Sequence, residues 1–201
     1  MANIEPRVLI EDWLPVAELG IESRRESAPI PGQFPKLKTL HVWWARRPLV
    51  AAEAVVLSGL LPAWSEDLAV AFASHPQLQT ADEYRKWTLR LIGIWGDPIA
   101  ARQRITRATE RGVTLGAAAY GYKPAFKNQP DEGDISLLHR VLRRTWHTDD
   151  LPLVADPTAG GGSIPFASAR LGLPTYANDL NGVAASMLRA GVGIPAQYGL
   201  D

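Results

Sequence analysis

The run Asp156-Pro-Thr-Ala-Gly-Gly-Gly-Ser163 carries the sharpest chemical signal in the chain. An apolar stretch ends in an acid, and consecutive glycines lead into what reads as a helix N-terminus. Glycines there permit positive φ and let a ligand approach the backbone with no Cβ in the way. The unpaired N–H groups of a first helical turn face the same space and favour a negatively charged ligand group. A phosphate-binding loop would need Gly-Lys-Ser/Thr, and no lysine follows these glycines. The dinucleotide fingerprint would need its third glycine near position 165, which is Pro165. A pyrophosphate would gain nothing from Asp156 at the strand end. A ligand with both an amino group and a carboxylate can use the acid and the helix N-terminus together.

A second acid, Asp179, stands twenty-three positions after Asp156, at the end of the next strand-like stretch. An acid at this point of a nucleotide-binding β-α-β unit accepts hydrogen bonds from ribose hydroxyls. The two acids thus bracket an adenosyl amino acid, and S-adenosylmethionine is a ligand of that kind. The plain alternative for the glycine run is a tight connection between strand and helix. Asn178 and Asn181 read as turn and helix-cap residues rather than ligand contacts.

Leu40-His41-Val42-Trp43-Trp44-Ala45-Arg46-Arg47-Pro48 concentrates aromatic and basic residues beyond what an average surface holds. Three readings stay open for it. Arginine can meet phosphate while tryptophan stacks on a splayed base. The segment can instead open a helix beside the glycine loop, across a gap of about 100 residues in sequence. Finally, the tryptophans can be core, with the arginines paired to acids such as Glu22 or Glu53. Two further basic groups, Arg102, Arg104, Arg107 and Arg111, and Arg140, Arg143 and Arg144, read most simply as solvated helix faces. The histidines His41, His75, His139 and His147 have no ligand-like spacing, so no metal site is expected.

These residues need elements to position them. Residues 8–27 show helical spacing broken by Pro15 and Gly20, and 28–36 have loop composition. A helix is predicted from about Pro48 to Leu61, with Pro48 in its first turn and Pro62 as its stop. Residues 64–112 predict two or three helices with boundaries near Thr80 and Asp97, and 112–133 read as a surface loop. A helix over about 134–146 follows. Then come strands at 151–156 and 175–178, each followed by a helix, at 163–171 and from Asn181 to about Ala190. The fold class is α/β, a helix-rich N-terminal region followed by the first β-α-β-α of a doubly wound parallel sheet. Three regions are expected: 1–62, a mostly helical 63–150, and 151–201. Lys plus Arg equals Asp plus Glu at 21 each, so overall charge gives no hint of nucleic acid, although a local patch would suffice. Cysteine is absent, which excludes disulfides and thiolate metal sites. With no signal-peptide pattern and no apolar run long enough to span a bilayer, a cytoplasmic protein without membrane association is expected.

Asp156-Pro-Thr-Ala-Gly-Gly-Gly-Ser163 followed by Tyr176-Ala-Asn-Asp-Leu-Asn181 resembles motifs I and II of DNA amino-methyltransferases. The similarity is closer to a family of large adenine-specific DNA methylases. Their N-terminal domain of unknown function carries a Leu-His-Val-Trp-Trp-Ala-Arg-Arg-Pro signature, present here at 40–48, and Trp13-Leu-Pro-Val-Ala-Glu-Leu-Gly-Ile-Glu-Ser23 also fits. The resemblance implies a Rossmann-like methyltransferase sheet, S-adenosylmethionine as cofactor, and DNA as partner of the complete enzyme, in a restriction or phage-defence setting. By position it assigns Asp156, Gly160 and Gly162, with the intervening Pro157, Thr158 and Ala159, to the methionine moiety, and Asp179 to the ribose. It leaves His41, Trp43, Trp44, Arg46, Arg47 and Pro48 as cofactor-side or DNA contacts. Thr158 departs from the phenylalanine common at its position, and Gly182 from an expected proline. The Asp/Asn/Ser-Pro-Pro-aromatic motif that holds the target amino group is missing, since Pro-Pro occurs nowhere. No catalytic residue is therefore assigned. The expectation is a truncated or split enzyme, inactive alone and completed by a C-terminal segment or partner chain. The competing expectation is a non-enzymatic interaction or cofactor-binding module.

Overall fold

The computed structural model describes residues 6–27, 40–43 and 46–199, so Trp44 lies outside the described residues. A 3-10 turn, Leu9–Glu11, precedes helix α1, Val16–Ser27. Pro15 separates the two, as expected, but Gly20 does not break α1. It sits on the exposed side with open space around it, where glycine costs a helix only about 1 kcal/mol relative to alanine.

Helix α2, Leu49–Leu60, is the centre of the molecule. Leu49, Val50, Ala52, Ala54, Val56 and Leu57 are all buried, and a helix apolar on nearly every side has to lie inside. Pro48 is its N-cap, with extended ψ of 141°, rather than a residue of its first turn. At the other end Leu61 is extended because it precedes Pro62, whose ring disfavours helical geometry in the preceding residue.

The next helices start where their caps say. Ser65 caps α3, Glu66–Ala71, and Thr80 caps α4, Ala81–Leu91, by accepting from Glu83 N at 3.2 Å. Asp97 accepts from Ala100 N at 2.8 Å to open α5, Pro98–Glu110, with proline in the first turn. Asp131 does the same for α6, Glu132–Thr145, through Asp134 N at 2.7 Å. Between α5 and α6 the chain makes 3-10 turns at Ala117–Tyr120 and Ala125–Lys127. This stretch is not purely surface. Ala125 and Asn128 are buried, and Asn128 Nδ2 donates to Gly93 O at 2.7 Å. Gly93 has φ +86°, and a Cβ there would collide with the Ala125 carbonyl, which is why glycine stands at that turn.

Strands β1, Val154–Asp156, and β2, Thr175–Ala177, pair in parallel with Asp156 opposite Ala177. A parallel pair requires a crossover, and α7, Ser163–Arg170, supplies it. Helix α7 packs on both strands and against α2. After β2, Asn181 caps α8, Gly182–Leu188, which continues through a π turn, Arg189–Gly193, into α9, Ile194–Tyr198. The described architecture is helix-rich α/β with a small parallel sheet. One apolar cluster joins Leu57 and Leu61 to Trp87, Leu91, Leu138 and Leu171, drawing on all three sequence regions. The sheet face bearing Leu153 and Tyr176 is bare, at 62% and 55% exposure. No helix among the described residues is long and apolar enough to cross a membrane.

Asp134 ties α4 to α6. The buried Trp87 indole donates to its Oδ1 at 2.9 Å and Arg90 to its Oδ2 at 2.8 Å. Asp134→Ala strands the indole N–H in the core. We expect a loss of about 2 kcal/mol in urea unfolding, the Arg90 partner being too exposed to add much. A loss below about 0.5 kcal/mol would mean that water replaces the carboxylate.

Candidate functional site at the glycine loop

The carboxyl ends of β1 and β2 lie side by side, and the loop over residues 157–162 folds across them. Asp156 Oδ1 accepts from Thr158 N at 3.3 Å, turning the chain sharply after the strand. Ala159 N donates to Asn178 O at 2.9 Å, and Asn178 N to Asp156 O at 3.0 Å, so the loop continues the ladder of the sheet. Gly160 and Gly162 take positive φ of 50° and 77°, conformations that other residues adopt only under strain. Gly162 is the N-cap of α7.

Asp179 staples this loop to the end of β2. Its Oδ2 accepts from Gly160 N at 2.8 Å and its Oδ1 from Asn181 N at 2.8 Å. The amides of Asn181 and then Gly160 hold its carboxyl below the usual carboxylate range, so it is ionised at neutral pH. An ionised carboxylate has about four lone-pair sites, so acceptor capacity remains for a ligand. Asn181 acts as the cap of α8, accepting from Val183 N and Ala184 N. A groove of about 470 Å³ opens beside Asp179, lined also by Pro165, Ala177, Leu188 and Val192.

The segment ahead of α2 packs on the other side of the loop. A Cβ built on Gly160 would stand 2.7 Å from Trp43 Nε1, and one on Gly161 would stand 3.1 Å from Trp43 Cβ and 3.2 Å from Arg46 Cγ. Two of the glycines thus make room for Trp43 and Arg46 rather than for open approach by a ligand. Ser163 Oγ donates to Arg47 O at 2.7 Å and closes the contact across 116 positions. Of the three readings of this segment, placement against the glycine loop is what the structure contains. Ion pairing holds as well: Arg46 meets Glu26 at 3.3 Å, its side chain 11% exposed. Pro157 and Thr158 are exposed at the tip, Ala159 and Gly162 are buried, and Asp156, Gly160 and Asp179 are half-buried. His41 and Arg47 are exposed, and Pro48 is half-buried.

Two buried acids stand behind this arrangement. Glu26 accepts from Arg46 and from Val50 N, and Glu53 pairs with Arg170 at 2.7 Å. Burial raises both carboxyls. Arg46 and the Leu49 and Val50 amides oppose the rise at Glu26. Glu53 is pushed up to about 8, with Arg170 pulling down and Glu26 adding to the rise. Arg46 Nη1 is buried with no hydrogen-bond partner among the described residues. Glu26, Arg170 and Ser163 were not among the residues singled out from sequence. The signal for Glu26 was its spacing: Leu19, Glu22 and Glu26 fall on one buried stripe of α1.

A family model described as a protein of unknown function (DUF1156) matches residues 13–89. That span contains α1, α2 and the Trp43–Arg47 contacts with the loop, while the loop itself lies beyond it. Such a match is consistent with the N-terminal domain of a larger family. No curated protein matches the chain. No solved structure matches it either.

Two outcomes test this geometry. Gly160→Ala places a methyl against the Trp43 indole at positive φ, and we expect a loss of about 2–3 kcal/mol in chemical unfolding. Adding Trp43→Ala should then cost less than Trp43→Ala does in the wild-type background, and strict additivity would show that the contact is absent. The second concerns pH. Because the Glu53 value lies above its ordinary 4.5, the folded state holds a proton that the unfolded chain releases. This stability is complete below about 4.5 and is lost as pH rises toward 8. The melting temperature should fall across that window, and Glu53→Gln should flatten the fall. Identical profiles would show that Glu53 is ionised throughout, beside Arg170.

Proposed function

We propose that this chain is the cofactor-binding portion of an S-adenosylmethionine-dependent DNA amino-methyltransferase acting on adenine. One observation carries the reading: Asp156, two left-handed glycines and Asp179 converge at the carboxyl ends of two adjacent parallel strands. Ligands of open α/β sheets bind at that edge. The residues suit the cofactor. Asp156 offers a carboxylate to the amino group, and the start of α7 offers a positive helix end to the carboxylate. The Arg46 side chain packs against Gly161 on that same side, its charge met by Glu26 and its Nη1 left without a hydrogen bond among the described residues. Asp179 retains acceptor capacity for ribose hydroxyls.

The cofactor, when bound, supplies an electrophilic methyl group. Transfer also needs acceptors for the target amino nitrogen, which an Asp/Asn/Ser-Pro-Pro-aromatic motif provides in the family this chain resembles. With no Pro-Pro in these 201 residues, a complementing segment or partner chain has to bring it. The bare sheet face at Leu153 and Tyr176 supports such a partner, because parallel sheets are ordinarily covered on both faces. The resemblance adds a restriction or phage-defence setting. A second reading is a non-enzymatic module that keeps the cofactor loop, and the packing of Trp43 and Arg46 against Gly160 and Gly161 is compatible with it.

Titration calorimetry of the purified chain with S-adenosylmethionine, NAD and ATP separates these readings. We expect binding of the first alone, weakened at least about tenfold (about 1.4 kcal/mol) by Asp179→Ala with the circular dichroism spectrum unchanged. A folded chain that takes up none of the three would overturn the cofactor reading and leave the interaction module.

A further inference from the structure

A cleft of about 830 Å³ lies away from the glycine loop and is lined by Arg25, Tyr122, Lys123 and Lys127 among others. Its wall is built stiffly. The Arg25 guanidinium lies over the rings of Tyr120 and Tyr122, at 3.8 and 4.7 Å. It donates to Glu22 at 2.7 Å and to Tyr122 O at 2.9 Å. Glu22 also accepts from the Tyr122 hydroxyl at 2.7 Å and from Ala125 N at 3.0 Å. The Arg25 charge is therefore answered inside the wall. Lys123 and Lys127 are exposed at the same cleft.

Helix α5 extends this charge. Its Arg104 donates to Ala119 O at 3.2 Å and joins the helix to the cleft wall. Arg102, Arg107 and Arg111 are exposed on α5 or at its end and enter no ion pair among the described residues. From 98 to 127 the chain carries six cations and one acid, Glu110, although its totals balance at 21 each. Arg104, Arg107 and Arg111 follow i, i+3, i+7 spacing, one row over roughly 10 Å of helix axis. A single phosphate would need one focus of charge. A row joined to a concave wall instead fits a polyanion with regularly repeated charge, and the concavity disfavours a flat bilayer.

We infer that α5 and this cleft form the face that holds the phosphate backbone of duplex DNA, without regard to its sequence. The choice of DNA rests on the proposed function; the charge pattern stands apart from it. The face is linked to the glycine loop through α1, where adjacent residues serve both: Arg25 belongs to the cleft wall and Glu26 holds Arg46 against the loop.

The test is fluorescence anisotropy with a mixed-sequence DNA duplex about two helical turns long, between about 50 and 200 mM salt. The variant replaces Arg107, Arg111 and Lys123 by Gln, and a control variant replaces Arg140, Arg143 and Arg144 by Gln. Wild type should bind with a strong salt dependence. The α5 variant should lose at least about tenfold in affinity, with a slope shallower by about 3, while the control changes less than about threefold. Equal loss in the control, undiminished binding by the α5 variant, or no binding by wild type overturns the inference. Binding to phosphatidylserine vesicles in preference to DNA overturns it too, in favour of a membrane. Cofactor titration of the same samples keeps the two claims apart. DNA binding without S-adenosylmethionine binding defeats only the cofactor reading, and the reverse defeats only this one.

Discussion

Two carboxylates in the interior, Glu26 and Glu53, set the arrangement of everything around them. Both are nearly inaccessible, at 2% or less. An isolated buried charge is too costly to keep, so each acid must either take a proton or be met by a cation. Arg46 reaches Glu26 from the segment just before α2, and Arg170 reaches Glu53 from the last residue of α7. These are the two ends of the contact between the tryptophan–arginine segment and the glycine loop. Removing either arginine would leave an uncompensated buried acid, typically a loss of about 3–5 kcal/mol unless the acid takes up a proton. The juxtaposition of residues 43–48 with 160–163 is thus held from behind, by ion pairs outside the loop as well as by packing within it.

Sequence reading was strongest where one residue decides locally. Thr80 and Asp97 mark helix starts because a side-chain oxygen satisfies a free amide three residues on, and both fall where they were expected. Pro62 stops α2 for an equally local reason. Pairing was harder. In one of the three readings of the tryptophan-rich segment its arginines pair with acids such as Glu22 or Glu53; those two acids are paired, but with Arg25 and Arg170. Nothing in linear spacing chooses among acids that all lie on buried stripes; only the packing of α1, α2 and α7 does. The glycine loop had a similar fate. Its positive φ angles were legible, yet the reason for glycine at 160 and 161 is Trp43 and Arg46, residues more than a hundred positions away. The stretch at 112–133 looked like surface because it is rich in glycine and tyrosine, whereas Asn128 anchors it internally through Gly93 and Arg170.

The glycine loop is fixed by the protein's own bonds. Asp179 bonds to Gly160 N, Ala159 N to Asn178 O, and Ser163 Oγ to Arg47 O, so the loop is held from three directions. A loop already ordered in this way loses little further entropy when it takes a ligand, and that saving appears as affinity. The same bonds constrain the chemistry. Asp179 serves the loop first, so what it offers a ligand is its remaining lone pairs, and a substitution there disturbs the loop as well as the ligand. Asp156 is less committed, with a single long bond to Thr158 N at 3.3 Å. Of the two acids it is the less constrained by bonds within the loop.

Helix α1 connects the two regions of interest by a property of helices alone. Residues i and i+1 point about 100° apart, so Arg25 and Glu26 reach different neighbours while sharing one rigid backbone. Arg25 meets the tyrosines of the basic cleft, and Glu26 meets Arg46 at the glycine loop. Neither can shift along the axis without the other. This sharing sets the spacing between the basic cleft and the glycine loop. It also explains why α1 carries two buried acids on its core stripe instead of apolar residues: each of them grips one side.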